Sequence, residues 1–139
     1  MKLSLNYLLI FCALLLAGCG NNLEETNVAL RAEIIGVHDE VMPKMGELMS
    51  LQKKALAQAD SLSLQDSTAT AKIQELTQLA GQLKAANEGM FVWMRQYSLK
   101  EDGKTPEELK SYLDSQLVLA RKVRKDIQDA LAQAATLKD

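Results

Sequence analysis

The chain has little of what most catalytic and redox sites are built from: in 139 residues there are two cysteines, one histidine, one tryptophan and two prolines, and aromatic residues make up 4%. Both cysteines, Cys12 and Cys19, lie near the N-terminus, so the residues that follow have no thiol for a disulfide, a thiolate metal ligand or a nucleophile. A single histidine excludes a paired-histidine metal motif, and neither a glycine-rich dinucleotide loop nor a Gly-x-Ser-x-Gly elbow is present. Gly103-Lys104-Thr105 matches the end of a phosphate-binding loop, but that motif needs a glycine five residues before Gly103, where Ser98 stands. With no such constellation, the chain reads as non-catalytic. Sixteen basic against eighteen acidic residues give a net charge of −2, which lacks the clustered basic excess that nucleic acid requires. Few prolines and aromatics, with abundant Ala, Leu, Gln, Lys, Glu and Asp, favour helix.

What is present begins at the N-terminus. Lys2 supplies a charged start, residues 3–16 an apolar run, and Leu16-Ala17-Gly18-Cys19 a site with small residues just before a cysteine. This resembles the bacterial lipobox, which implies cleavage after residue 18 and diacylglyceryl transfer to the Cys19 thiol. The apolar run is shorter than the roughly 20 residues of a spanning helix, so a cleaved signal is expected in place of a transmembrane anchor. Several acyl chains, at about 0.8 kcal/mol per buried methylene, hold a protein at a bilayer without further help. Removing 18 residues from 139 leaves 121, enough for one domain with a modest core. In an oxidising exported compartment with no disulfides, that fold rests on its apolar core alone.

Three helical segments follow a short polar tether at residues 19–26. The first runs over about residues 27–59, with Ile34, His38, Val41, Met45, Leu48, Met49, Gln52, Ala55, Leu56 and Ala59 at spacings of three and four. Pro43 falls inside it and predicts a kink or break between Val37 and Lys44. Residues 60–70 are dense in Ser, Asp and Thr and predict a reversal. The second helix covers about residues 70–96, with Ile73, Leu76, Leu79, Ala80, Leu83, Asn87, Met90, Met94 and Tyr97 on one face. A second break ends in Thr105-Pro106-Glu107-Glu108, where Thr105 can cap, Pro106 suits the first helical position and Glu108 can close a capping box. The third helix extends to about Leu137 and buries Leu109, Tyr112, Leu113, Gln116, Ala120, Val123, Ile127, Leu131 and Ala134. Short connections between long helices predict an all-α, antiparallel up-down-up three-helix bundle over residues 27–139, a monomer, with a long coiled-coil oligomer as the alternative. The basic run Arg121-Lys122-Val123-Arg124-Lys125 spreads around its helix and reads as a solvated face.

One cluster draws attention as a candidate site. His38, Met42, Met45 and Met49 lie at i, i+4, i+7 and i+11 on one side of the first helix. A hairpin folding back around residues 63–65 sets residue 38 opposite about residue 90, which brings Met90 and Met94 to His38 and Met42, with Trp93 at the flank and Tyr112 nearby. In one reading the methionines fill an irregular core around the Pro43 kink, and His38 bonds Tyr112, Asn87 or a carbonyl freed by the proline. In the other, His38, Met42, Met45, Met90 and Met94 are soft ligands for Cu(I), with Trp93 close enough for a cation–π contact. That ligand set resembles the one histidine, two methionines and tryptophan of small periplasmic copper carriers, which are β-barrels unrelated in chain.

The lipobox, the segment His38-Asp39-Glu40-Val41-Met42-Pro43-Lys44-Met45-Gly46-Glu47 and the pattern Met90-x-x-Trp93-Met94-x-x-Tyr97 resemble a group of small Bacteroidota lipoproteins that often bear the label "viral A-type inclusion protein". The resemblance implies a helical lipoprotein and carries over no catalytic residue. Acids soon after the lipidated cysteine resemble surface-display signals in such bacteria; here Glu24 and Glu25 follow Gly20-Asn21-Asn22, which departs from the pattern and leaves the side of the outer membrane open. The expected partners are the membrane, through lipid on Cys19, and an envelope protein; no nucleic acid is expected, and no cofactor unless Cu(I).

Overall fold

The computed structural model describes residues 19–66, 68–97 and 103–135; the expected signal segment before Cys19 and the expected end near Leu137 lie outside the described residues. Helix α1 spans Cys19–Val41 and α2 spans Met45–Gln65, joined by a single 3-10 turn at Met42–Lys44. Helix α3 spans Thr70–Gln96 and α4 spans Pro106–Ala134. The long arm formed by α1 and α2 runs up, α3 runs down and α4 runs up again, so the fold is an all-α, antiparallel three-helix bundle.

Pro43 interrupts the first arm as its chemistry requires. A proline has no N–H for the helix and its ring crowds the preceding turn, so the ladder tightens into the 3-10 turn and resumes at Met45, whose N–H bonds Met42 O. The start of α4 also follows its sequence: the Thr105 hydroxyl accepts from the Glu108 N–H at 3.3 Å, and the Thr105 N–H donates to Glu108 Oε2 at 2.8 Å. Gly103, at φ +83°, supplies the left-handed residue before that cap.

Two boundaries differ from the sequence reading. Helix begins at Cys19, so residues 20–26 continue the first helix where a polar tether was expected. At the other end α2 runs on through Asp60, Ser61 and Ser63 to Gln65, and the reversal occupies only residues 66–69. Ser and Asp are weak helix formers, and the packing of Ala59 and Leu62 against the core outweighs that preference. Asp66, in extended conformation, makes the stop: Thr68 donates to Asp66 Oδ1 through its hydroxyl at 2.6 Å and its N–H at 2.9 Å.

The core takes its side chains from one stripe of each helix, with Ile34, Val41, Leu48, Leu76, Leu83, Leu113 and Ile127 the most deeply buried aliphatics. Ala55, Ala59, Ala80, Ala86, Ala120, Ala130 and Ala134 are buried as well, which lets the helices approach closely. Met49 and Leu56 are 47% and 40% exposed, a correction to the expected stripe: at 100° per residue they fall on the flank of a face centred on Val41 and Ala59. Val37, Leu51, Ala86 and Trp93 are buried although the expected stripes omitted them.

Helices α1 and α4 run side by side in the same direction, in a register marked by polar pairs. Asn27 Nδ2 donates to Pro106 O at 2.9 Å, Arg121 pairs with Glu33, and Arg124 and Gln128 both bond Glu40, at 3.1 and 2.9 Å. The basic run at residues 121–125 stays largely solvent-exposed and forms pairs at the surface: Arg121 and Arg124 reach across to α1, whereas Lys122 and Lys125 pair along their own helix with Asp126 and Asp129.

Two predictions arise from this architecture. The Thr68 hydroxyl, and after it the Thr68 N–H, hold the Asp66 carboxyl below the usual carboxylate range. A lowered folded value stabilises above the unfolded pKa of about 3.9, and that contribution is lost as pH falls through the folded value. Asp66→Ala is therefore expected to melt below the parent protein at neutral pH, with the gap closing in acid when melting temperature is followed against pH. Gly81 is exposed in the middle of α3, with no atom within 4 Å of where a Cβ would stand. Gly81→Ala is expected to raise stability by about 0.5–1 kcal/mol, read as a higher denaturant midpoint at unchanged slope.

Candidate functional site

Helix α3 stops at Gln96, and Tyr97 turns into extended backbone with its N–H held by Trp93 O at 2.8 Å. Helices α1 and α4 continue past this level, so part of α1 that α3 covers further along the arm loses its neighbour. A cavity of about 300 Å³ opens there, lined by Ile34, Ile35 and His38 of α1 and by Trp93, Met94 and Tyr97 at the end of α3.

Its walls belong to an aromatic column that crosses the bundle. The His38 and Trp93 ring centroids lie 6.1 Å apart at 39°, Trp93 stacks on Tyr97 at 5.3 Å, and Tyr97 stacks on Tyr112 of α4 at 6.4 Å. Lys104 Nζ sits 5.7 Å from the centroid of the Tyr112 ring at the far end, within cation–π range. Trp93 is only 5% exposed, and its indole Nε1 is buried with no hydrogen-bond acceptor among the described residues.

His38 Nδ1 lies 2.8 Å from Asp39 Oδ1. A carboxylate accepts only, so Nδ1 carries a proton, and in the tautomer protonated at Nδ1 alone Nε2 is an acceptor. The expected bond to Tyr112, Asn87 or a carbonyl near Pro43 is not formed; the adjacent Asp39 is nearer, and the Tyr112 ring is engaged in the stack with Tyr97.

The six residues singled out for Cu(I) are divided by the structure. His38, Trp93 and Met94 line the cavity, with Met94 38% exposed at its edge. Met45 and Met90 are buried core side chains, Met90 to 1% exposure, and Met42 packs on the core from the 3-10 turn; none of the three lines the cavity. The cause is the turn. Placing the reversal at residues 66–69 instead of 63–65 carries the residue opposite His38 along α3 from about Met90 to Trp93 and Tyr97. Among the described residues no group of three or more His, Cys, Asp or Glu is placed to hold a metal ion. Cys19, the lipidation candidate, is the first residue of α1, and its side chain lies outside the described residues.

The sequence reading missed Ile35 as a wall of the site and did not connect Ile34 and Tyr97 with His38. The available signal was length: the polar break after residue 97 ends α3 before it can cover the start of the first arm. A larger space of about 390 Å³ near the start of α4, lined by Asn27, Arg31 and Lys104 among others, lacks aromatic walls and an imidazole. Comparison of the chain with protein-family models, with curated proteins and with solved structures finds no match.

If Met90 serves as core filler and not as a ligand, volume alone governs its replacement. Met90→Leu is expected to cost less than about 1.5 kcal/mol, and Met90→Ala about 2–5 kcal/mol through the cavity it leaves, measured by denaturant unfolding.

Proposed function

We propose that the chain is a lipoprotein of a bacterial cell envelope, in line with the resemblance to small Bacteroidota lipoproteins, and that its helical bundle is a binding module without catalysis. The observation that carries the binding role is the cavity walled by Ile34, Ile35, His38, Trp93, Met94 and Tyr97. Its chemistry suits recognition: apolar and aromatic walls with one acceptor nitrogen resemble a small-molecule pocket more than a reaction centre, which needs a nucleophile with its base or a metal. No described helix is long and apolar enough to cross a membrane, so attachment falls to lipid on Cys19. At 1.5 Å per residue, a helix starting at Cys19 carries Ile34 about 22 Å from the lipidated end, which would hold the cavity clear of the headgroups if α1 stands upright.

A second reading keeps Cu(I) as the ligand, favoured by the presence of His38, Met94 and Trp93 around one cavity, with one imidazole and one thioether as donors. Envelope anchoring is tested at the cysteine. Cys19→Ser is expected to give a soluble protein or an uncleaved precursor, because serine cannot replace the thiol that accepts lipid; detergent-phase partitioning reads the result. A correctly cleaved serine variant that still enters the detergent phase would overturn the lipoprotein reading.

A further inference from the structure

We propose that the cavity between α1 and the end of α3 binds a neutral, two-ring aromatic molecule bearing a hydroxyl group. The inference rests on the binding-module reading and names the ligand class of that site.

Size comes first. A cavity of about 150 Å³ lined by aliphatic and aromatic side chains holds benzene, so the 300 Å³ here has room for a second ring and stands at the small end of ligand pockets. The walls select a flat apolar body. Ile34, Ile35 and Met94 are aliphatic or thioether, Trp93 and Tyr97 present rings already stacked on each other, and a flat aromatic guest extends that packing.

Polarity is set by the imidazole. In the tautomer whose Nδ1–H bonds Asp39, His38 offers Nε2 as an acceptor, and the matching ligand brings a donor. A hydroxyl supplies that donor without bringing a charge into the cavity. Trp93 Nε1 is itself buried from the cavity's water-accessible surface, so the indole meets the ligand through its ring. Charge is disfavoured. No lysine or arginine lines the cavity to receive a carboxylate or phosphate, and the Asp39 carboxylate stands beside the imidazole.

The test uses 2-naphthol and 2-methoxynaphthalene, which have the same two rings but differ in the donor. Trp93 is the only tryptophan, so the lipidated full chain in nanodiscs gives a single indole N–H resonance that reports on this wall directly. With free ligand fixed by dialysis, 2-naphthol is expected to shift that resonance saturably and to bind about tenfold more tightly than 2-methoxynaphthalene, the scale of one hydrogen bond. His38→Phe should remove the difference between the two compounds. Equal affinity of the two for the parent protein, a comparison that needs no variant, overturns the hydroxyl assignment while leaving an apolar binding site. A shift that never saturates with either compound overturns the site itself, and a resonance that responds to Cu(I) alone overturns the organic ligand in favour of the metal. None of these outcomes bears on whether Cys19 is lipidated.

Discussion

Helices of 27 and 29 residues have to cover a first arm built from segments of 23, 3 and 21 residues, and neither reaches from one end of that arm to the other. At 1.5 Å per residue α3 is about 40 Å long and the arm about 70 Å, so coverage is staggered. Helix α3 packs mainly on α2, α4 packs mainly on α1, and the two also pack on each other. Where α3 ends at Tyr97, the bundle goes from three helices to two, and the space between Ile34, His38 and Trp93 follows from that change. The site is a product of unequal helix lengths and needs no loop of its own.

A staggered arrangement demands a defined register, and apolar stripes alone define it weakly because a slip of one turn still buries leucine against leucine. The polar pairs between α1 and α4 are more specific. Asn27 with Pro106, Glu33 with Arg121, and Glu40 with Arg124 and Gln128 lie in the same order along both helices. Exposed pairs contribute roughly 0–1 kcal/mol each, so their main effect is to discriminate among alignments. The aromatic column does the same between helices further along, since His38, Trp93, Tyr97 and Tyr112 stack in only one relative placement of α1, α3 and α4.

Much of this was readable in advance where the cause is local. Pro43 dictates its 3-10 turn, and Thr105-Pro106 with Glu108 dictates a helix start, because each acts on backbone groups within one turn. The reversal after α2 was placed too early for a reason of the opposite kind. Asp60, Ser61 and Ser63 carry local preferences of a few tenths of a kcal/mol, and burial of Ala59 and partial burial of Leu62 against α3 override them. That displacement of a few residues then moved every cross-helix neighbour of His38 and separated Met45 and Met90 from Trp93 and Met94.

By itself the sequence determined helix number, the break at Pro43, the cap at Thr105 and the faces that enter the core, because periodicity, capping and proline sterics operate over three or four residues. The resemblance of Leu16-Ala17-Gly18-Cys19 to a lipobox is likewise a matter of residue identity alone. Tertiary structure decided which residues meet: that His38 lies against Trp93 and bonds Asp39, that Arg121 and Arg124 cross to α1, and that the cavity has Ile35 in its wall. Those contacts depend on where α3 starts and stops relative to α1, and a shift of one turn in either would exchange them for others while leaving every local rule in the chain satisfied.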